Sequence, residues 1–361
     1  MELSNFKLAA ILVSIGLLPA CGSVGVPVPP SLEVARPVND LKATRKGDRV
    51  FLTWTAPART TDGHSITHPG ETQICGNPAS AMAQCGTPVA KIKPGGNQRT
   101  SQPVVMSYTD RLPESIQAMY ADDDLFYAVK VMNSYGRSGG LSNQVSVPAA
   151  PTLPAPLGFR AQLVPEGVQL TWLAETSPAP ASGLHFAVRV YRREQGQKTD
   201  VLAGESELAP GSTQSLTDRS LEWEKTYSYR ATTVTYIEHP AGKKEQVEGE
   251  DTPALSVFAH DVFPPAAPTE LQAVFSGPGQ KTFIDLIWSP STETDLAGYN
   301  VYRREGEARA TKLNSELVKS PAWRDSTVET GHDYSYSVTA VDARGNESAH
   351  SAEAAESVPA Q

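Results

Sequence analysis

The sequence predicts an all-β chain built as three tandem β-sandwiches in an elongated array. Three observations predict it. A pattern with apolar residues at every second position, ending on Trp, occurs as Val50–Trp54, Val168–Trp172 and Ile284–Trp288. A period of two is that of a strand with one buried face. Pro-rich junctions, Pro148–Pro156 and Phe263–Pro268, separate the copies, and 29 Pro with 27 Gly suit many turns better than long helices. No convincing amphipathic helix is read after the N-terminal segment. The length of 361 residues, at roughly 150 per domain, corresponds to two or three domains. With 39% hydrophobic residues a packed core is expected rather than disorder. The net charge of −9 disfavours a nucleic-acid partner, which calls for a basic face.

Residues 1–20 read as a signal peptide: Lys7 precedes the apolar run Leu8–Leu18, too short to span a bilayer. The next residues, Leu18-Pro19-Ala20-Cys21, resemble the lipobox of bacterial lipoproteins, with Pro19 departing from the small residue usual at its position. That resemblance implies that Cys21 is the lipidation site: a diacylglycerol thioether, with palmitate-type chains, on a mature N-terminal cysteine. Such chains exceed the two-signal threshold for stable anchoring. An ordinary cleaved signal with Cys21 merely nearby is the alternative. The resemblance implies an exported protein anchored to the bacterial cell membrane. The outer membrane is favoured if the host is didermic, because Gly22-Ser23 lacks an Asp after the Cys. Residues 21–36, rich in Pro, Gly and Val, read as an extended lipidated tether.

The chain has three cysteines, Cys21, Cys75 and Cys85. Lipidation of one leaves a pair, and an oxidising compartment predicts a Cys75–Cys85 disulfide closing a small loop, adding roughly 2–3 kcal/mol. A two-Cys metal site is the alternative, with no Cys or His close in sequence to complete it.

The remaining elements follow the repeat in order. A second strand reads Val188–Arg193 and Tyr299–Arg304. A short third signature ends on Asp in every copy: Tyr108-Thr109-Asp110, Leu216-Thr217-Asp218 and Trp323-Arg324-Asp325. Tyr-Ser-Tyr then opens a long alternating run at Tyr227 and Tyr334, and the first copy has Leu125–Asn133 there. Turns follow at Tyr135–Ser138 and Arg344–Ser348. The order of leading Pro, Leu-x-Ala, V-x-L-x-W, Y-x-V-Y-R, Y-x-Y-x-V and G-x-x-S resembles fibronectin type III modules. This implies immunoglobulin-like sandwiches at residues 37–149, 153–262 and 265–359. In that family the Tyr opening the sixth strand makes a corner hydrogen bond; Tyr227 and Tyr334 match it, and Leu125 departs. Irregular insertions are read as loops: Pro57–Glu71, Arg111–Asp124 and Tyr236–Asp251.

Candidate chemistry is sparse. His64 and His68 have an i, i+4 spacing, but Gly63 and Pro69 mark a loop. Asp122-Asp123-Asp124 could offer oxygens to calcium, but lacks the EF-hand spacing, and Thr292–Asp295 reads as a turn. No nucleophile motif or phosphate-cradling Gly loop is present in the sequence. No catalytic residue, metal ligand or cofactor is therefore assigned. Trp54, Trp172 and Trp288 occupy the repeated core position, and Trp323 an inward one; Trp223 alone falls outside the pattern and is the candidate ligand contact. The pairs Arg192-Arg193 and Arg303-Arg304 read as solvated strand ends. The expected function is that of a non-enzymatic, lipid-anchored envelope protein whose modules serve protein binding, adhesion or spacing. The insertions, including Ile237–Asp251, would be its contact surfaces. The expected partners are the membrane, through the anchor, and another envelope protein or a polysaccharide. The alternative is a carbohydrate-binding accessory lipoprotein assisting a separate hydrolase, since modules of this family accompany glycoside hydrolases.

Overall fold

A computed structural model describes residues 32–94, 103–174, 183–239 and 242–360. Cys21, the signal peptide and most of the tether lie outside the described residues. The alternating patterns fold as antiparallel strands in every case. The N-terminal group is β1 (Lys42–Lys46), β2 (Arg49–Thr55), β3 (Pro69–Pro78), β4 (Ala90–Ile92), β5 (Val105–Arg111), β6 (Asp124–Asn133), β7 (Ser138–Leu141) and β8 (Val145–Pro148). One sheet runs β1-β2-β5; the other runs β4-β3-β6-β7, with β8 also on β6.

The middle group repeats the plan. Its strands are β9 (Leu157–Val164), β10 (Gly167–Leu173), β11 (Leu184–Glu194), β12 (Val201–Glu207), β13 (Thr213–Asp218), β14 (Lys225–Glu238), β15 (Lys244–Asp251) and β16 (Leu255–Ala259). They form sheets β13-β10-β9 and β12-β11-β14-β15, with β16 also on β14. The C-terminal group has β17 (Gln272–Phe275), β18 (Ile284–Ile287), β19 (Leu296–Glu305), β20 (Thr311–Lys312), β21 (Ala322–Asp325), β22 (His332–Asp342) and β23 (Ala354–Val358). Its sheets are β17-β18-β21 and β20-β19-β22-β23.

Each pair of sheets encloses its own apolar cluster. The alternation decides which side chains enter it: Val50, Leu52 and Trp54 in the first, Val168, Leu170 and Trp172 in the second, Ile284, Leu286 and Trp288 in the third. The facing sheet contributes Ile74 and Val129, then Val188, Val190 and Tyr229, then Val301, Tyr336 and Val338. At roughly 1.5–3 kcal/mol per large apolar side chain removed from water, these interiors dominate the stability of each sandwich.

Two readings of the insertions are corrected. Within 111–124 the chain forms a helix, α1 (Glu114–Met119), where no helix was expected. It has six residues, too short to show periodicity, and it is held by tertiary contact: Gln117 is buried and accepts from Arg45 at 3.0 Å. The polar stretch after Tyr236 is a regular β-ribbon instead of a loop. β14 runs on to Glu238 and β15 pairs back along it, Ile237 opposite Glu245 and Val234 opposite Glu248. Sequence alone could not give this, because Val247 is the single apolar side chain of β15, and its other residues are charged apart from Gln246 and Gly249.

The ribbon also fixes the first junction. Ala149 and Ala150 are fully buried, and Ala150 packs with Leu184, Ile237, Val247 and Ala121. Thr233 and Thr235 donate their hydroxyls to the linker carbonyls of Leu153 and Pro151, at 2.7 and 2.8 Å. The second junction is thinner: Val262 is 52% exposed, and Asn346 Nδ2 donates to Asp261 O at 3.2 Å.

Candidate functional site

The third signature, which ends on Asp in all three copies, leads to a buried tyrosine with a strongly raised phenol in each. β13 places Asp218 beside β10, with its side chain buried between the sheets. There it accepts the Tyr229 hydroxyl at 3.0 Å and pairs with Arg192 at 2.7 Å. Register explains the meeting, because Arg192 on β11 lies opposite Tyr229 on β14. The third sandwich repeats it: Asp325 accepts Tyr336 at 2.9 Å and Arg303 at 2.8 Å, and Arg303 lies opposite Tyr336. In the first, Tyr127 donates to Asp110 at 2.7 Å, and Gly76 stands opposite Tyr127 where the others have arginine. Burial, reinforced by the neighbouring carboxylate, pushes the Tyr127, Tyr229 and Tyr336 phenols far above their usual range. Burial opposes ionisation of Asp325, but donors from Thr327, Tyr336 and Arg303 outweigh it and hold the carboxyl below its ordinary value.

These contacts correct the reading of the arginine pairs as solvated strand ends. The Arg192 and Arg303 side chains are only 12% and 22% exposed and are paired with buried carboxylates, while the adjacent Arg193 and Arg304 reach outward to Asp200 and Glu353. The sequence held the signal: Asp, Tyr-x-Tyr and Tyr-Arg recur together, but strand pairing alone brings them to one point.

Tyr227 accepts the Glu222 N–H at 2.9 Å and Tyr334 accepts the Glu329 N–H at 3.0 Å, which are the expected corner hydrogen bonds. Cys75 and Cys85 form a disulfide with Cα atoms 5.4 Å apart. It straps the 79–89 loop over the outer face of the β3–β6 sheet, where Met82 packs with Cys75 and Ala128. Gln144 clamps the strap, accepting from Met82 N at 2.7 Å and donating to Met82 O at 2.8 Å. Trp223 is half-buried, packs on the second core and lies 6.2 Å from the Phe263 ring, so this candidate contact stands beside the second junction.

His64 and His68 are exposed and take separate partners, Asp62 at 3.4 Å and Glu33 at 2.8 Å. Asp122 and Asp123 are exposed, and Asp124 accepts from Ser146 at 3.1 Å. Tertiary folding gathers another acidic set that spacing did not suggest: Asp261, Asp295 and Asp342 each offer an oxygen within 4.8 Å of the others. An all-oxygen donor set is of the kind that suits Ca²⁺ or Mg²⁺. The two buried members already have donors: Asp342 accepts from Arg344 N, Asn346 N and Asn346 Nδ2, and Asp261 from Phe263 N.

No family model matches the chain. Among solved structures, an Fn3-like protein from Clostridium thermocellum is matched over 98% of its length by 27% of this chain, at 32% identity and a TM-score of 0.23. The chain carries fibronectin type III-like modules. The FN1–FN3 domains of chicken CNTN1 are matched over 99% of their length by 90% of the chain, at 13% identity and a TM-score of 0.26. A stretch of 94 residues, 26% of the chain, is 34% identical to an amylopullulanase of Thermoanaerobacterium saccharolyticum, and covers 7% of that enzyme's length. In all three of these fibronectin type III-like modules an Asp–Tyr bond ties the sixth strand to the strand before it, and in the second and third the tyrosine corner braces the turn between them.

Proposed function

We propose that the protein is a non-enzymatic, lipid-anchored component of a bacterial cell envelope, whose three fibronectin type III-like modules hold a binding surface at a set distance from the membrane. One observation carries the non-enzymatic reading. The strongly shifted phenols recur at equivalent positions, at Tyr127, Tyr229 and Tyr336, each donating to the Asp of its own module. Reaction chemistry needs one convergent site, whereas a group repeated in every module serves what the modules share, which is the fold. Anchoring through Cys21 supplies the membrane partner, and another envelope protein is the soluble one. The test is crosslinking and affinity capture of the native protein from its own membranes, with Cys21→Ser as control. A defined protein recovered with the wild type and lost with Cys21→Ser supports the reading. Recovery of no partner in either form argues against it.

A second reading rests on the likeness to the amylopullulanase segment. In it the modules bind polysaccharide beside a separate hydrolase, with Trp223 as contact. A glycan array probed with the full chain and with Trp223→Ala separates the two. Specific glycan binding lost in Trp223→Ala favours this second reading.

A further inference from the structure

We infer that strand β15 is an intramolecular latch which makes the first two sandwiches one cooperative body, with the third outside it. The β1–β2 turn meets β15 edge-on. Gly47 N donates to the Glu248 carbonyl at 2.8 Å, a backbone hydrogen bond between sandwiches. Lys46 reaches both Glu248 and Asp251 at 2.7 Å, and Arg49 holds both oxygens of Glu250 at 3.0 and 2.7 Å. Behind this edge Arg45 donates to Pro148 O and to Gln117 Oε1, and the same Gln117 oxygen accepts Thr152 N from the linker. Burial draws the Arg45 guanidinium down to about 10, as expected for a cation enclosed by the junction.

Shape and charge both fit a built contact. Gly47, at φ 59°, has Glu250 against it, where a Cβ would lie 2.7 Å from the carboxylate. At Gly249 a Cβ would lie 2.2 Å from Thr233 Oγ1 and 2.5 Å from Leu153 O, so only glycine lets the ribbon sit on the linker. Residues 37–149 carry 11 Lys and Arg against 9 Asp and Glu; residues 153–262 carry 10 against 15. The opposite balances meet at this edge. A contact that joins backbone, apolar cluster and ion pairs links the two openings, so that neither sandwich unfolds without losing the other's support. Among the described residues the second junction, with Val262 exposed, joins the third sandwich through side chains such as Asn346 on Asp261 O and Arg344 near Glu224, and no strand edge there takes a part like that of β15.

Hydrogen exchange with peptide-level mass spectrometry on the full chain, across a denaturant series, tests this. In the wild type, protection of β2 and β14 is expected to fall at one common denaturant concentration, and that of β22 at another. Lys46→Gln/Arg49→Gln changes only side chains of the first sandwich that point away from its own core. It is expected to speed exchange of β15 by at least about tenfold, to separate the β2 and β14 midpoints, and to leave β22 unchanged. Gly249→Ala, a wedge from the other side, should separate the same two midpoints. Distinct β2 and β14 midpoints in the wild type, or β15 exchange unmoved by Lys46→Gln/Arg49→Gln, would overturn the latch.

Discussion

Replacing Asp325 by Ala removes the acceptor for four donors at once: Arg303, the Tyr336 hydroxyl, and the amide and hydroxyl of Thr327. Asp325 is 3% exposed, so water cannot replace it at the Tyr336 end. Removing one partner of a buried pair costs about 3–5 kcal/mol. Arg303 keeps 22% of its side chain in solvent and lies 4.9 Å over the Tyr334 ring, which places the expected loss at the low end, about 3 kcal/mol. Tyr336→Phe removes a single hydrogen bond to a charged group and is expected to cost about 1.5–3 kcal/mol. The double variant should fall short of the sum, because both changes break one contact. Asp110→Ala is an internal control: Gly76 replaces the arginine there, so the loss should be smaller, about 1.5–3 kcal/mol. The assay is hydrogen exchange of β22, β14 and β6 amides in the full chain, converted to opening free energies. A loss below about 1 kcal/mol in Asp325→Ala, or an equal loss in β14, would refute the reasoning.

Three further outcomes are expected. Asp325 and Glu248 are held below their ordinary values, in each case by hydrogen bonds that outweigh burial. Their stabilisation is complete above the unfolded carboxyl values, near pH 4, and is lost as pH falls through the folded values; acid unfolding followed by tryptophan fluorescence checks this. Reducing Cys75–Cys85, or replacing both with Ser, should lower the opening free energy common to β2 and β14 by about 3 kcal/mol and make 79–89 the first site of limited proteolysis, with the third sandwich unchanged. Tyr334→Phe leaves the Glu329 amide without its corner acceptor and should lower the stability of the third sandwich by about 1 kcal/mol, read from β22 exchange.

Alternation ending on Trp54, Trp172 and Trp288 was enough to define the strand type, the inner face and the all-β class. A period of two leaves a side chain only two faces to occupy, and the apolar one has to be buried. The corner tyrosines were legible through the resemblance to fibronectin type III modules, and the Cys75–Cys85 pair through the cysteine count and an oxidising compartment. Three things were decided only by tertiary structure. Arg192, Asp218 and Tyr229 come from three strands, and only register brings them within hydrogen-bond distance. Asp261, Asp295 and Asp342 lie on separate segments, so no spacing rule could gather them. The 244–251 segment read as a polar loop because its charges carry no periodic signal. Its pairing with β14 and its ion pairs with Lys46 and Arg49 depend on where another sandwich stands. Local pattern fixes which face of a strand is buried, while long-range charge pairing depends on positions that exist only once the chain has folded.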